Sequence, residues 1–211
     1  IKCGNATCTS GNTTTNINSD WIDFSSITIG TDGFPVIAYI NPGDADLTVV
    51  KCGNAACSSG NVTTDVDTNS AYSFSSPSIA IAPDGFPVMA YYNNSSDDLM
   101  VAKCTNASCS TSGTQTLDST NDVGLYSSLV IGTDGLPVIS YYDDSNDNLM
   151  IAKCGDANCT NDSATLTTVD STGNVGAGNS ITIGADGFPA VAYMDQTNGT
   201  IKYMHCGNTG C

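Results

Sequence analysis

The apolar residues of this chain alternate with polar ones in short runs and never follow a helical period. Four runs can be laid over one another: "SSITIGTDGFPVIAY" at 25–39, "PSIAIAPDGFPVMAY" at 77–91, "SSLVIGTDGLPVISY" at 127–141 and "NSITIGADGFPAVAY" at 179–193. In each, a period-2 strand such as Ile27 and Ile29 leads into an Asp-Gly pair, the strongest short-range hairpin signal. The following run is apolar on both faces (Val36 and Ala38 against Ile37 and Tyr39), as in a strand covered on both sides. Its proline stands at the strand start, where a missing N–H is tolerated. A polar loop, a third strand of the "LMVAK" kind and a Thr-rich fourth strand ("NVTTDV", "ATLTTV") complete the unit. The Asp-Gly pairs Asp32-Gly33, Asp84-Gly85, Asp134-Gly135 and Asp186-Gly187 recur about every 50 residues, which marks a repeat architecture.

Four antiparallel strands per repeat without helices predict an all-β fold. It is a β-propeller-like array of four-stranded blades, four repeats plus a surplus hairpin, spanning 1–211 as one repeat domain. The "I-x-x-D-G-x-P-V-x-x-Y" units resemble the blades of BNR or Asp-box repeats, differing in placing Asp directly before Gly and in lacking a motif tryptophan (the single Trp is Trp21). That resemblance implies a sialidase-like or lectin-like propeller. The chain opens and closes in equivalent third strands. This predicts a segment of a longer precursor, or head-to-tail self-association in which strands are completed by a neighbouring chain.

Composition narrows the partners. All 21 acidic residues are Asp, the basic residues are five Lys and one His, and the net charge is −16. Such a chain repels phosphate backbones and anionic membrane surfaces, so neither nucleic acid nor a membrane is an expected partner. Membrane insertion is not expected either, because no run of about 18 apolar residues occurs.

The cysteines fall in five C-x4-C pairs at one phase of the repeat: Cys3 with Cys8, Cys52 with Cys57, Cys104 with Cys109, Cys154 with Cys159, and Cys206 with Cys211. Structural zinc takes closer pairs with further ligands nearby, and thioredoxin-like chemistry takes C-x-x-C in an α/β setting. A local disulfide in each pair fits the spacing and predicts an extracellular, secreted or cell-surface setting. No metal site is expected at the cysteines. Sequons at Asn5, Asn12, Asn61, Asn93, Asn94, Asn106, Asn158, Asn161 and Asn198 add covalent glycans to the expectation.

The recurring Asp residues at 32, 84, 134 and 186 are expected to form turns, their carboxylates on local N–H groups. The chain contains no arginine for a substrate carboxylate and no Ser-His-Asp set, and His205 stands where the other repeats carry Lys. The chain is therefore expected not to be an enzyme and to need no cofactor. The loops at 41–46, 93–98, 143–148 and 195–198 carry the oxygen ligands that weakly bound Ca2+ takes. Tyr39, Tyr91, Tyr141 and Tyr193 end the second strands, with Tyr92 and Tyr142 beside two of them; packing in the core is the first expectation for such rings, and stacking on a sugar is the alternative.

These observations combine into a non-enzymatic extracellular structural or adhesive protein that assembles head to tail into a filament. The alternatives are a lectin-like propeller with a carbohydrate ligand, and a non-catalytic part of a larger secreted glycoside hydrolase.

Overall fold

A computed structural model describes residues 1–18, 22, 24–41, 44, 46–68, 77–160 and 163–211. Trp21 and the sequon Asn161 lie outside the described residues, as do positions 42, 43 and 45 of the first candidate calcium loop. Four antiparallel sheets follow one another along the chain. The first blade holds β1 (Ser25–Ile29), β2 (Pro35–Asn41), β3 (Asp46–Lys51) and β4 (Val62–Asp67). The second holds β5 (Ser78–Ile81), β6 (Pro87–Asn93), β7 (Asp98–Cys104) and β8 (Ser112–Asp118). In the third are β9 (Val123–Ile131), β10 (Pro137–Asp143), β11 (Asn148–Lys153) and β12 (Thr165–Asp170). The fourth has three strands, β13 (Ser180–Ile183), β14 (Pro189–Asp195) and β15 (Thr200–His205). Within each blade the strands lie in chain order.

The hydrophobic core sits between blades. Val36, Ala38, Leu47 and Val49 of the first blade pack on Ile79, Met89, Tyr91 and the second blade's cysteines, Cys104 and Cys109. The same layer recurs between the second and third blades, and between the third and fourth. This explains why the second strands of the second and third blades are apolar on both faces: each face meets a different neighbour. The outer strand has only one packed side and can be Thr-rich, as the largely exposed β4 and β12 show.

The inner strands β1, β5, β9 and β13 lie successively against one another. A serine on each of the first three accepts the backbone N–H of the next blade. Ser26 Oγ takes Ile79 N at 3.4 Å, Ser78 Oγ takes Leu129 N at 2.9 Å, and Ser128 Oγ takes Ile181 N at 3.2 Å. A second tie joins the second strand of a blade to the outer strand of the blade before it. Tyr91, Tyr141 and Tyr193 donate to Asp67, Asp118 and Asp170 at the ends of the preceding blades' fourth strands, at 2.6, 2.7 and 2.8 Å.

Residues 1–13 form a stapled hairpin closed by a bridge between Lys2 and Thr13. The segment after it occupies the place of a fourth strand. Thr15 Oγ1 donates to Ala56 O as Thr64 Oγ1 does to Ser108 O, and Asn18 donates to the Tyr39 hydroxyl at 3.2 Å. The far face of the fourth blade is open. Ile201 and Tyr203 are 81% and 70% exposed, whereas the equivalent Leu149 and Ile151 of the third blade are fully buried under its neighbour.

Candidate functional site

The repeated motifs resolve into three local devices. All ten cysteines are paired within their own C-x4-C units: Cys3 to Cys8, Cys52 to Cys57, Cys104 to Cys109, Cys154 to Cys159 and Cys206 to Cys211. The Cα–Cα separations are 4.7–4.8 Å. The second cysteine of each pair (Cys8, Cys57, Cys109, Cys159 and Cys211) has a positive φ of 51–55°, which lets the chain double back within five residues. The staples differ in burial. Cys109 and Cys159 are buried in inter-blade layers, Cys211 at the end of the fourth blade is half-buried, and Cys8 is exposed. In the first, second and fourth staples the glycine after the first cysteine is required by a close backbone approach, as at Gly53, where a Cβ would lie 2.4 Å from Gly60 O. Among the described residues there is no free cysteine and no three-residue metal cluster. The disulfides place the chain in an oxidising environment.

The second device is the Asp-Gly turn. It is longer than a two-residue hairpin loop, with Gly30 N bonded to Phe34 O and Gly33 N to Gly30 O, and Gly33 takes the left-handed position at φ 79°. Asp32 accepts Phe34 N at 3.0 Å and pairs with Lys51 Nζ at 2.7 Å. Asp84 with Lys103 (2.7 Å), Asp134 with Lys153 (2.8 Å) and Asp186 with His205 (3.1 Å) repeat the pairing. Lys51 and Lys103 also donate to the carbonyls of Cys52 and Cys104, tying each turn to its staple.

The hydrogen bond from Lys51 and the Phe34 N–H hold the Asp32 carboxyl below its ordinary value. At Asp84 and Asp134 desolvation pushes upward, but the lysine and backbone hydrogen bonds outweigh it and the net shift is downward. Asp170 is likewise pushed up by desolvation, yet Lys202, the Thr172 N–H and Tyr193 together bring it down to about 2. A carboxyl with a depressed folded pKa contributes stability above its unfolded value, here 3.8, and loses it as pH falls through the folded value. The melting temperature is therefore expected to drop as pH falls from about 4 to about 2. A flat thermal denaturation profile across that window would show that these pairs contribute nothing.

The third device is a tyrosine layer, in which the motif tyrosines take the core role and not the sugar-stacking one. Tyr39, Tyr91, Tyr141 and Tyr193 are no more than 5% exposed, so no sugar can stack on them. Their rings fill the layers between blades and their hydroxyls take part in the inter-blade hydrogen bonds described above. Burial, with the neighbouring carboxylates, raises the ionisation of Tyr91, Tyr141 and Tyr193 far above the ordinary tyrosine value. Tyr92 and Tyr142 are equally committed: Tyr92 donates to Asp97 and Asp122, Tyr142 to Asp147 and Asn174.

Those same contacts occupy the candidate calcium loops. Asn93, Asp143 and Asp195 accept N–H groups of their own loops, from Ser95, Asn146 and Asn198. Of the sequons, Asn93 is buried and unsuited to a glycan, while Asn94, Asn158 and Asn198 are exposed. Asn5, Asn12 and Asn61 are exposed, and Asn106 is half-buried. The side-chain amides of all four are spent within the stapled hairpins, as when Asn61 Nδ2 donates to Cys57 O at 2.8 Å.

One concavity is built by all four blades together. It is a wide-mouthed hollow of about 320 Å3 where the inner strands converge, at the lower end of the ~300–1,000 Å3 typical of small-molecule pockets. Ser25 and Ser26 of β1, Ser78 of β5, Ser127 and Ser128 of β9 and Asn179 before β13 supply its polar groups. Phe24, Pro77 and Tyr126 add apolar surface, and no described lining residue is charged.

A bulge shapes one wall. In the β9–β10 ladder Ser128 faces Ser140 and Leu125 faces Tyr142, so Tyr126 and Ser127 both stand opposite Tyr141. The extra residue turns Tyr126 outward at φ 55°, 42% exposed, with its ring 6.3 Å from that of Tyr142. The fourth blade makes the corresponding turn with Gly178 at φ 58°. Sequence reasoning passed over Tyr126 because it lies outside the aligned motif. The available signal was that a tyrosine fills the place a glycine takes in the next repeat.

No family model matches the sequence, and no curated protein matches it. Among solved structures the chain is similar to a GH43 α-L-arabinofuranosidase from Clostridium thermocellum, with a TM-score of 0.50 and 14% identity over 92% of this chain and 72% of that one. It is also similar to a bifunctional GH43-CE protein from Bacteroides eggerthii (TM-score 0.49, 10% identity, 80% of this chain and 22% of that one). An α-L-arabinofuranosidase from Lactobacillus brevis follows at a TM-score of 0.40 and 8% identity, over 86% of this chain and 89% of that one. At such identity the first likeness is one of fold. Fold and cavity together define a disulfide-stapled β-propeller.

The expectation that the chain is not an enzyme is corrected by this comparison, because the fold it shares is that of a glycoside hydrolase. The lack of arginine and of a Ser-His-Asp set excludes particular mechanisms and does not set the chain apart from enzyme propellers.

Proposed function

We propose that this chain is an extracellular carbohydrate-recognising propeller that takes a glycan unit in the cavity where its four blades converge. The observation that carries this reading is the cavity itself: a sugar-sized concavity lined by serine hydroxyls, an asparagine and aromatic surface, with no described charge. Hydroxyl and amide groups exchange hydrogen bonds with a polyol, and an aromatic ring covers its C–H face. The likeness in fold to a glycoside hydrolase supports the same substrate class and makes the chain suitable as the propeller of a larger secreted enzyme. The disulfides support an extracellular setting.

The test is a screen of the non-reduced protein against neutral oligosaccharides by titration calorimetry, with release from aryl glycosides followed in parallel. Saturable binding of at least one neutral glycan is expected. Absence of binding and of turnover across the whole panel would overturn the reading.

A further inference from the structure

Most polar groups of the axial cavity are already committed. Ser26, Ser78 and Ser128 each hold a neighbouring blade's N–H. Asn179 accepts the Ser140 hydroxyl and donates to Gly176 O at 3.0 Å. Ser127 is the exception: it is 6% exposed, it lines the cavity, and its hydroxyl is the one buried side-chain polar atom without a hydrogen-bond partner among the described residues. A buried hydroxyl left unpaired forfeits its hydration without return, so such a group calls for an explanation.

The repeat register supplies the cause. Ser127 and Asn179 hold corresponding positions, each one residue before a ladder serine (Ser128 and Ser180). Asn179 bonds to Ser140 of the preceding blade; the residue in the second blade at the register of Ser140 is Ala90, which faces Ser78 as Ser140 faces Ser128. Ser127 therefore has no hydroxyl opposite it. Beside it Tyr126, also at the cavity, occupies a left-handed backbone conformation that is strained outside glycine. Unpaired polar groups and strained non-glycine residues concentrate where a ligand binds.

We infer that the two bulge residues determine what the axial cavity accepts. The Tyr126 ring is the platform for the apolar face of one sugar unit, and the Ser127 hydroxyl is the hydrogen-bond partner of one ligand hydroxyl. The ligand is an uncharged pentose or hexose unit. A uronic or sialic acid would enter a protein of net charge −16 with no cation among the described lining residues to meet its carboxylate. The inference rests on the carbohydrate reading above and adds the residues and the charge class.

The experiment compares the wild type with Ser127→Ala and Tyr126→Gly, using Ser58→Ala in the second staple as a remote control. Each is titrated with the best neutral glycan of the screen and with its uronate counterpart. Each cavity variant is expected to weaken the neutral ligand about tenfold, the worth of one hydrogen bond or ring contact, with the control unchanged. Ser127→Ala is expected to melt at or above the wild-type temperature, because the hydroxyl it removes bonds to none of the described residues. A Tm drop in Ser127→Ala would expose a structural role and overturn the assignment. Wild-type-like binding by both variants would overturn it while leaving the carbohydrate reading intact. Preference for the uronate would overturn the charge class, and failure of every sugar to bind the wild type would remove both proposals together.

Discussion

Replacing Gly176 by alanine is expected to destabilise the protein by about 3 kcal/mol or more, combining backbone strain with overpacking. Gly176 has a φ of 111°, outside what L side chains adopt, and an added Cβ would lie 2.8 Å from Leu149 Cα. Nothing there can give way: Leu149 is fully buried in the layer between the third and fourth blades, and the atom met is backbone. Gly124 repeats the situation one blade earlier, at φ 108° and 2.7 Å from Leu99 Cα. These glycines let the chain cross the start of the third strand as it enters the next blade. Gly199, at φ 65° with nothing within 4 Å, is the control and should cost only the ~1–2 kcal/mol of a left-handed residue. Denaturant midpoints measure the difference. Equal losses in Gly176→Ala and Gly199→Ala would show that the close approach has no energetic weight.

Removing a staple is expected to have the second-largest effect, and a position-dependent one. Closing so short a loop contributes about 2 kcal/mol on the chain-entropy model. Cys154 and Cys159 are fully buried in the layer between the second and third blades, so their replacement by alanine also loses packing, for a total near ~3 kcal/mol. Cys3 and Cys8 are exposed in a hairpin whose remaining ties, the Lys2–Thr13 bridge and the hydrogen bonds of Asn5 and Asn12, are local and exposed. Their removal should fray that hairpin and leave the cooperative transition within about 1 kcal/mol of wild type, since a cross-link stabilises only the unit it belongs to. Reducing all five bonds removes an amount comparable to the whole net stability of a typical domain, about 5–15 kcal/mol. The reduced chain should therefore unfold near room temperature. Two double variants with equal midpoints would contradict the burial argument, and an unchanged melting curve in reductant would contradict the staple role.

Much of this architecture is legible in the chain because it is local and repeated. The alternation in "SITIG" and "PVIAY" sets strand and face, the Asp-Gly pair sets the turn, and a period near 50 residues sets the blade. The apolar residues on both faces of β2, β6 and β10 announce a neighbour on each side. The motif tyrosines left two roles open in the sequence. A tyrosine at a strand end has an apolar body and a polar tip, and from sequence it suits a surface platform or a core layer equally well. Asp67, Asp118 and Asp170, lying 23 or 24 residues before their tyrosines, decide for the core. Tyr126 and Ser127 were hidden because a bulge is a mismatch between two strands, and the aligned motif of one strand does not contain it.

By itself the sequence determined the all-β repeat, its period, the stapled hairpins and the acidic surface, since each depends on residues near one another in the chain. Only the tertiary structure decided that the blades converge on one cavity with no charge among its described lining residues, that the motif tyrosines are buried between blades, and that Ser127 has no hydrogen-bond partner among the described residues. Those facts depend on which residue of one blade stands opposite which residue of the next. The register between blades is set by packing, and a single substitution across it, Ala90 where the third blade has Ser140, changes the outcome without changing the motif.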